Sequence, residues 1–242
     1  MINAKINFLE GAVDLKLYST KKNLTRHLEF FFQNTELKGK RLLDIGGGSG
    51  LLSYWAIVNG GSSVCLEPEF DGSSKGIKDS FFHLGKNIGM NPSRAEFEAI
   101  KFQDYKPNEL FDIIVLANSI NHLNEDAVQS VTRDKAARKE YIQYFEKMYN
   151  LLNDNGILII TDCSRHNFFN LFGMKNPLMP TIEWKKHQSP YYWGKLLNNV
   201  GFKKKSIHWS APNSLGEFGK LVFGNPISSF FTLSHFRLEM KK

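Results

Sequence analysis

"RLLDIGGGSGLLS", residues 41–53, decides the fold. An apolar strand reaches Asp44, breaks into four glycines within five positions (Gly46, Gly47, Gly48 and Gly50), and resumes as an apolar stretch at Leu51. Glycines at a strand-to-helix turn permit left-handed backbone angles and let a ligand lie against the main chain with no Cβ in the way. A dinucleotide fingerprint, G-x-G-x-x-G counted from Gly46, needs glycine at 51 and meets Leu51. The carboxylate of Asp44 would also repel a pyrophosphate, whereas it would attract a ligand that carries an ammonium.

Working outward, apolar strands alternate with helical patterns as βαβ units do, which predicts a mostly parallel sheet. Seven strands are expected, at 41–46, 62–68, 96–102, 111–118, 156–162, 203–210 and 230–240, with helices near 20–33, 50–59, 74–88, 134–153 and 190–199. Tyr141, Ile142, Phe145, Met148, Tyr149 and Leu152 recur at the spacing of one buried helical stripe, which Asn155 and Gly156 should end. The organisation read from this pattern is a single domain, 1–242. It comprises an N-terminal helical arm (1–38), a core (39–163), an insertion rich in Phe, Asn and Trp (164–189), and a C-terminal helix with the final strands (190–242).

At 242 residues with 42% hydrophobic content, the chain can bury a sizeable core and is no candidate for disorder. No apolar run approaches the ~18 residues of a bilayer span, and the opening residues lack the apolar centre of a signal peptide. The expected location is therefore the cytoplasm, with no membrane partner. Cys65 and Cys163 lack any C-x-x-C pairing and read as two reduced thiols, with no metal site. A net charge of +7 invites a nucleic-acid partner, but the cations form only short clusters, such as Lys203, Lys204 and Lys205, and lysine outnumbers arginine. A small-molecule acceptor is the favoured reading over RNA or DNA.

The run Asp44-x-Gly46-x-Gly48-x-Gly50 resembles the first motif of the class I S-adenosylmethionine-dependent methyltransferases, small-molecule type. Three further features follow in that family's order. Glu67 closes "SVCLEPE", where an acidic side chain accepts hydrogen bonds from ribose hydroxyls. Asp104 in "KFQDY" matches the acidic residue that receives the adenine amine, with Phe102 and Gln103 flanking the ring. "FDIIVLANSINHL" resembles the fourth strand and its loop, with Asn118 facing the methionine half. The resemblance covers about 38–210 and implies a doubly wound, Rossmann-like α/β fold of seven strands, with helices on both faces and 230–240 as an antiparallel last strand. It also implies S-adenosyl-L-methionine as cofactor and S-adenosyl-L-homocysteine as product, with Tyr18 of the arm closing over the nucleoside.

A hydroxyl acceptor must lose its proton as it attacks, which calls for a general base, whereas an amine needs only its lone pair. The base candidates are His122 in the loop after the fourth strand, His166 after the fifth, and His187 in the insertion, with His122 favoured. His27, His83, His208 and His235 read as packing positions. Arg165 is a candidate for an anionic group on the substrate, and Trp184 and Tyr192 for a wall against it. The loop "ANSIN" lacks the Asn/Asp-Pro-Pro-aromatic run of enzymes that methylate base amines. Cys163 faintly resembles the nucleophile of cytosine-C5 RNA methyltransferases, although their Pro-Cys after the fourth strand is missing. A metal-assisted site would want carboxylates after both the fourth and fifth strands, and only Asp162 is present. By resemblance to stand-alone bacterial enzymes of this size, the expected reaction is O-methylation of a sugar or carbohydrate precursor for surface polysaccharide. N-methylation of an amine or amino alcohol and RNA methylation are the alternatives.

Overall fold

Parallel strands covered on both faces read as near-continuous apolar runs, and "RLLDI" and "FDIIVLA" are such runs. The structure, a computed structural model, describes residues 2–69, 76–89, 94–211, 219 and 222–242. Its strands are β1 (Arg41–Ile45), β2 (Ser62–Leu66), β3 (Ala95–Glu98), β4 (Phe111–Ala117), β5 (Leu152–Cys163), β6 (Lys203–Trp209) and β7 (His235–Lys241). They form one seven-stranded sheet in the order β3-β2-β1-β4-β5-β7-β6. β1 runs parallel to β2 and β4, and β2 runs parallel to β3, whereas β7 is antiparallel to both β5 and β6. The strand order reverses between β1 and β4, the switch point at whose carboxyl edge open α/β sheets hold ligands.

The helices are α1 (Ile2–Asp14), α2 (Lys21–Phe32), α3 (Leu51–Val58), α4 (Ile77–Asn87), α5 (Glu125–Ser130), α6 (Lys135–Leu151), α7 (Phe168–Leu171), α8 (Pro190–Val200) and α9 (Pro226–Phe231). Packing divides the chain into two compact units, Met1–Ala117 with Leu151–Gly156, and Asn118–Asn150 with Ile157–Lys242. No helix among the described residues is long and apolar enough to cross a membrane.

In the first unit, Leu42, Leu43, Ile113, Ile114, Val115 and Leu116 are buried on the central strands. Arg41 starts β1 by donating its backbone N–H to Asp112 Oδ2 at 2.9 Å, and its guanidinium lies 4.4 Å from the centre of the Phe111 ring. α3 is apolar almost all round and packs on α1, β1 and β2, so it sits directly behind the glycine turn. Each fully buried large apolar side chain there is worth about 1.5–3 kcal/mol relative to exposure.

In the second unit, α6 buries Ala137, Tyr141, Phe145 and Met148 at i, i+4, i+8 and i+11, while Ile142 and Tyr149 of the expected stripe are half-buried. The Tyr141 ring lies 5.0 Å from that of Trp193, and its hydroxyl donates to the Ile120 carbonyl at 3.0 Å. α8 opens on Ser189, whose hydroxyl accepts the Tyr192 N–H, with Pro190 at the first helical position, and it closes on Gly201 at φ 118°. Those cap residues fix both ends of the helix.

Several boundaries differ from the sequence reading. β3 stops at Glu98 rather than 102, so Phe102 falls in the following turn. α6 stops at Leu151, and Asn155 (φ 64°) takes its left-handed angle within β5 rather than at the helix end. Residues 230–231 of the expected last strand belong to the helix α9, which is capped by Asn225 with Pro226 at its first position, and the strand begins at His235. The expected helix at 74–88 is found as Ile77–Asn87, and residues 74–75 lie outside the described residues.

Candidate active site

The glycine turn belongs to the first unit. Gly46, Gly48 and Gly50 adopt φ of 70°, 54° and 79°, angles that L side chains rarely take. Gly47 is needed for another reason, because a Cβ there would stand 2.6 Å from the Asp44 carboxylate and from the Cys65 sulfur. A Cβ on Gly48 would meet nothing within 4 Å, so the main chain there is bare on its outer side. The Gly48 N–H donates to Glu67 Oε2 at 2.9 Å, tying the turn to the end of β2. The carboxylate expected to hold the ribose therefore also shapes the loop.

Asp44 is fully buried beneath this turn. Ser53 donates to its Oδ2 at 2.9 Å, while Oδ1 is buried with no hydrogen-bond partner. Burial pushes its carboxyl up to about 7; the Ser53 hydrogen bond opposes that rise, and the charge of Glu67 adds to it. A buried, half-satisfied carboxylate under a bare loop suits a cationic ligand group, so the residues fit the nucleoside implied by the sequence. The linkage has a definite sign. Because the folded-state pKa lies above the ordinary carboxylate value, the protein alone loses stability through Asp44 as pH rises toward about 7. An ammonium bound beside the ionised form recovers that loss. The thermal stabilisation by S-adenosylhomocysteine should thus be larger at about pH 8 than at about pH 6; a shift independent of pH would remove Asp44 from ammonium binding.

Phe102, buried, Gln103, half-buried, and Asp104, exposed, occupy one turn after β3, closed by the Asp104 N–H on the Lys101 carbonyl at 3.0 Å. Tyr18 of the arm lies with its ring 5.7 Å from His27, and burial raises its hydroxyl pKa. The ring contact found for Tyr18 is thus within the arm.

Asn118 opens the second unit, exposed, at φ 54°, with its N–H donating to the Thr161 carbonyl at 2.8 Å. A left-handed non-glycine residue at a strand end is backbone strain of the kind that concentrates at functional sites. Nearby in the same unit, His187 and Asp162 form an enclosed titratable pair. His187 Nδ1 stands 2.8 Å from Asp162 Oδ1, and the two side chains are 13% and 0% exposed. Burial raises the Asp162 carboxyl, and the His187 hydrogen bond opposes that rise. The backbone around His187 is fixed on both sides. Its N–H closes the 3-10 turn Trp184–Lys186 on the Trp184 carbonyl, Gln188 donates to the Val128 carbonyl at 3.0 Å, and Ser189 caps α8.

His122 is placed differently. It is 57% exposed, with Nδ1 2.6 Å from Glu125 Oε1, and Glu125 is also held at 2.7 Å by Lys186, which binds Glu183 at 2.9 Å. Lys186 chiefly, then His122, lowers the Glu125 carboxyl. His166 lies exposed, its N–H held by Ser164 Oγ.

Tyr192 and Cys163 are held within the unit. The Tyr192 hydroxyl donates to the Val131 carbonyl at 2.6 Å, which fixes the half-buried ring beside α5. Cys163 is buried, 3.9 Å from the Met179 sulfur, and burial pushes its thiol well above the ordinary range, which suits a packed thiol and not a nucleophile. Arg165 and Trp184 are half-buried beside His166 and Lys185 in sequence. Among the described residues, no group of three or more His, Cys, Asp or Glu is placed to hold a metal. Asp162, near the end of β5 in "IITDC", reads from the sequence only as a lone carboxylate for a metal, and its contact with His187 is visible only in the fold.

Residues 18–207 match the family described as "Methyltransferase domain". The chain is 26% identical over 215 residues to a "Ubiquinone biosynthesis O-methyltransferase" of Pelagibacter ubique, covering 84% of this chain and 78% of that protein. Among solved structures, an S-adenosylmethionine-dependent methyltransferase from Mesorhizobium loti superposes with TM-score 0.60 at 11% identity, over 90% of this chain and 100% of that one. The 1,6-didemethyltoxoflavin-N1-methyltransferase of Burkholderia thailandensis, solved with its acceptor and S-adenosylhomocysteine, gives TM-score 0.57 at 13% identity, over 100% and 88%.

Proposed function

The chain belongs to the methyltransferase-domain family and is an S-adenosylmethionine-dependent methyltransferase, and on that premise we propose that it methylates the hydroxyl of a small molecule, with His187 as general base. The observation that carries this reading is the 2.8 Å contact between His187 Nδ1 and the buried Asp162. A ring that donates Nδ1–H to a carboxylate keeps its lone pair on Nε2, the form that accepts a proton. A hydroxyl, which must lose its proton as it attacks, is the acceptor that such a pair serves most directly.

The bound cofactor supplies an activated methyl group, so the protein's task is to orient the acceptor and take its proton. Asp44 and Glu67 hold the amino and ribose ends. The Phe102–Asp104 turn receives the adenine. Asp162 sets the tautomer of His187, which takes the hydroxyl proton. His122, tied to Glu125 at the surface, is the secondary candidate. The carbohydrate acceptor expected from the sequence finds no support among the relatives, while the relative from Pelagibacter ubique is named for oxygen methylation in ubiquinone biosynthesis. The oxygen acceptor is therefore kept and the sugar is not. Incubation with methyl-labelled S-adenosylmethionine and a panel of phenols, alcohols and amines should place the label in ether linkages. Label found on nitrogen alone would contradict the reading.

A further inference from the structure

A soluble chain buries most of its large apolar side chains, so a cluster of exposed ones needs a partner. Such a cluster stands on α7, the turn after it and α9, all within the second unit. Leu171 (71% exposed), Phe172 (62%), Met174 (45%), Leu178 (51%), Ile227 (73%) and Phe231 (52%) lie open. Beneath them Phe168 touches Phe172, Phe230 and Phe231 at centroid distances of 4.9, 6.3 and 5.4 Å, joining the two short helices.

This surface is built rather than frayed. Asn167 Nδ2 donates to the Thr232 carbonyl at 2.9 Å and to Ser234 Oγ at 2.8 Å, and Asn176 Nδ2 donates to the same Thr232 carbonyl at 2.8 Å. The Ser164 N–H binds the Ser234 carbonyl, and the Ser234 hydroxyl donates to the His166 carbonyl. Buried polar groups thus hold the apolar helices in place from below, with Asn167, Asn176 and Ser234 almost wholly buried. The backbone is fixed before any partner arrives.

The charges choose the partner. Residues 164–182 contain Arg165 and Lys175 and no acidic residue, and residues 222–234 contain no charged residue at all. A second copy meeting the same face would bring like cations together across the two-fold axis. An anionic lipid surface offers the opposite sign and an apolar interior for Phe and Leu side chains. We propose that the α7–α9 surface docks the protein on a bilayer containing anionic lipid, which would bring the acceptor-side histidines of this unit to a membrane-dissolved or amphiphilic hydroxyl. Peripheral docking of this kind needs no spanning helix, and it does not depend on which histidine is the base.

The test is sedimentation with vesicles of equal parts phosphatidylglycerol and phosphatidylcholine, and with phosphatidylcholine alone. The wild type should pellet with the first and about tenfold less with the second. The variant Leu171→Ser/Phe172→Ser/Ile227→Ser/Phe231→Ser, checked for native circular dichroism, should lose about tenfold or more in binding, and Lys175→Glu should lose several-fold. Leu110→Ser, which changes an exposed side chain of the first unit, should bind as the wild type. Wild-type protein that stays in the supernatant, or a serine variant that pellets equally, overturns the proposal. So does light scattering that shows a dimer without vesicles and a monomer after the serine substitutions, since the face would then serve self-association.

Discussion

Replacing His187 by alanine is expected to cut methyl transfer to a hydroxyl by about 10²–10⁴-fold while S-adenosylhomocysteine affinity stays unchanged. The size follows from the role. A positioned base that removes the acceptor proton in the transition state contributes about 2.7–5.5 kcal/mol, and alanine leaves water as the only substitute. The enclosed position of His187, 13% exposed against a fully buried Asp162, is what separates it from His122, 57% exposed and bound to Glu125. His122→Ala should therefore retain activity within about threefold. Steady-state kinetics with calorimetry on the same preparations checks both halves. A His122→Ala protein that loses activity while His187→Ala keeps it would reverse the assignment.

Glu67→Ala should weaken S-adenosylhomocysteine binding by about 10²-fold or more. Two charge-assisted hydrogen bonds to ribose hydroxyls at about 1.5–3 kcal/mol each account for that loss. The same substitution also removes the acceptor of the Gly48 N–H, so the left-handed turn loses its tie to β2. Glu67→Gln keeps the length and one acceptor oxygen and should fall between the two. Isothermal calorimetry reads the series directly, and an alanine variant with wild-type affinity would move the ribose away from Glu67.

Much of this was legible in the sequence, for physical reasons that can be named. The strands β1, β2 and β4 are largely apolar runs with Asp44 near the end of the first, and Glu67 and the left-handed Asn118 just after the others, because parallel strands bury both faces and present their carboxyl ends to ligand. The glycine turn was readable because its angles admit little else. The end of α9 was hidden because "FFTLSHFRLEM" is aromatic and apolar enough to pass for one strand, although Asn225 and Pro226 are a helix start. The two apolar helices α7 and α9 are too short to show a helical period.

The acceptor-side chemistry was less legible because it depends on pairs far apart in the chain. His187 meets Asp162 across 25 positions, and Tyr192 meets Val131 across 61. No spacing rule distinguishes His187 from His166 or His122 before those contacts are known. The lysine run at 203–205, which made a nucleic-acid partner worth weighing, stands on β6, the terminal strand of the sheet. Lys205 is bound to Glu239 at 2.6 Å, and lysines on an edge strand also discourage pairing with other chains.

The central claim is that Asp162 and His187 act as one unit in removing a hydroxyl proton, and a double-mutant cycle measures it most directly. Rates of ether formation are compared for the wild type, Asp162→Asn, His187→Ala and the double variant, all with cofactor affinity confirmed. The account predicts that Asp162→Asn alone is slowed about 10²-fold or more and that the double variant is no slower than His187→Ala. Independent, multiplying losses, or full activity without His187, would contradict it.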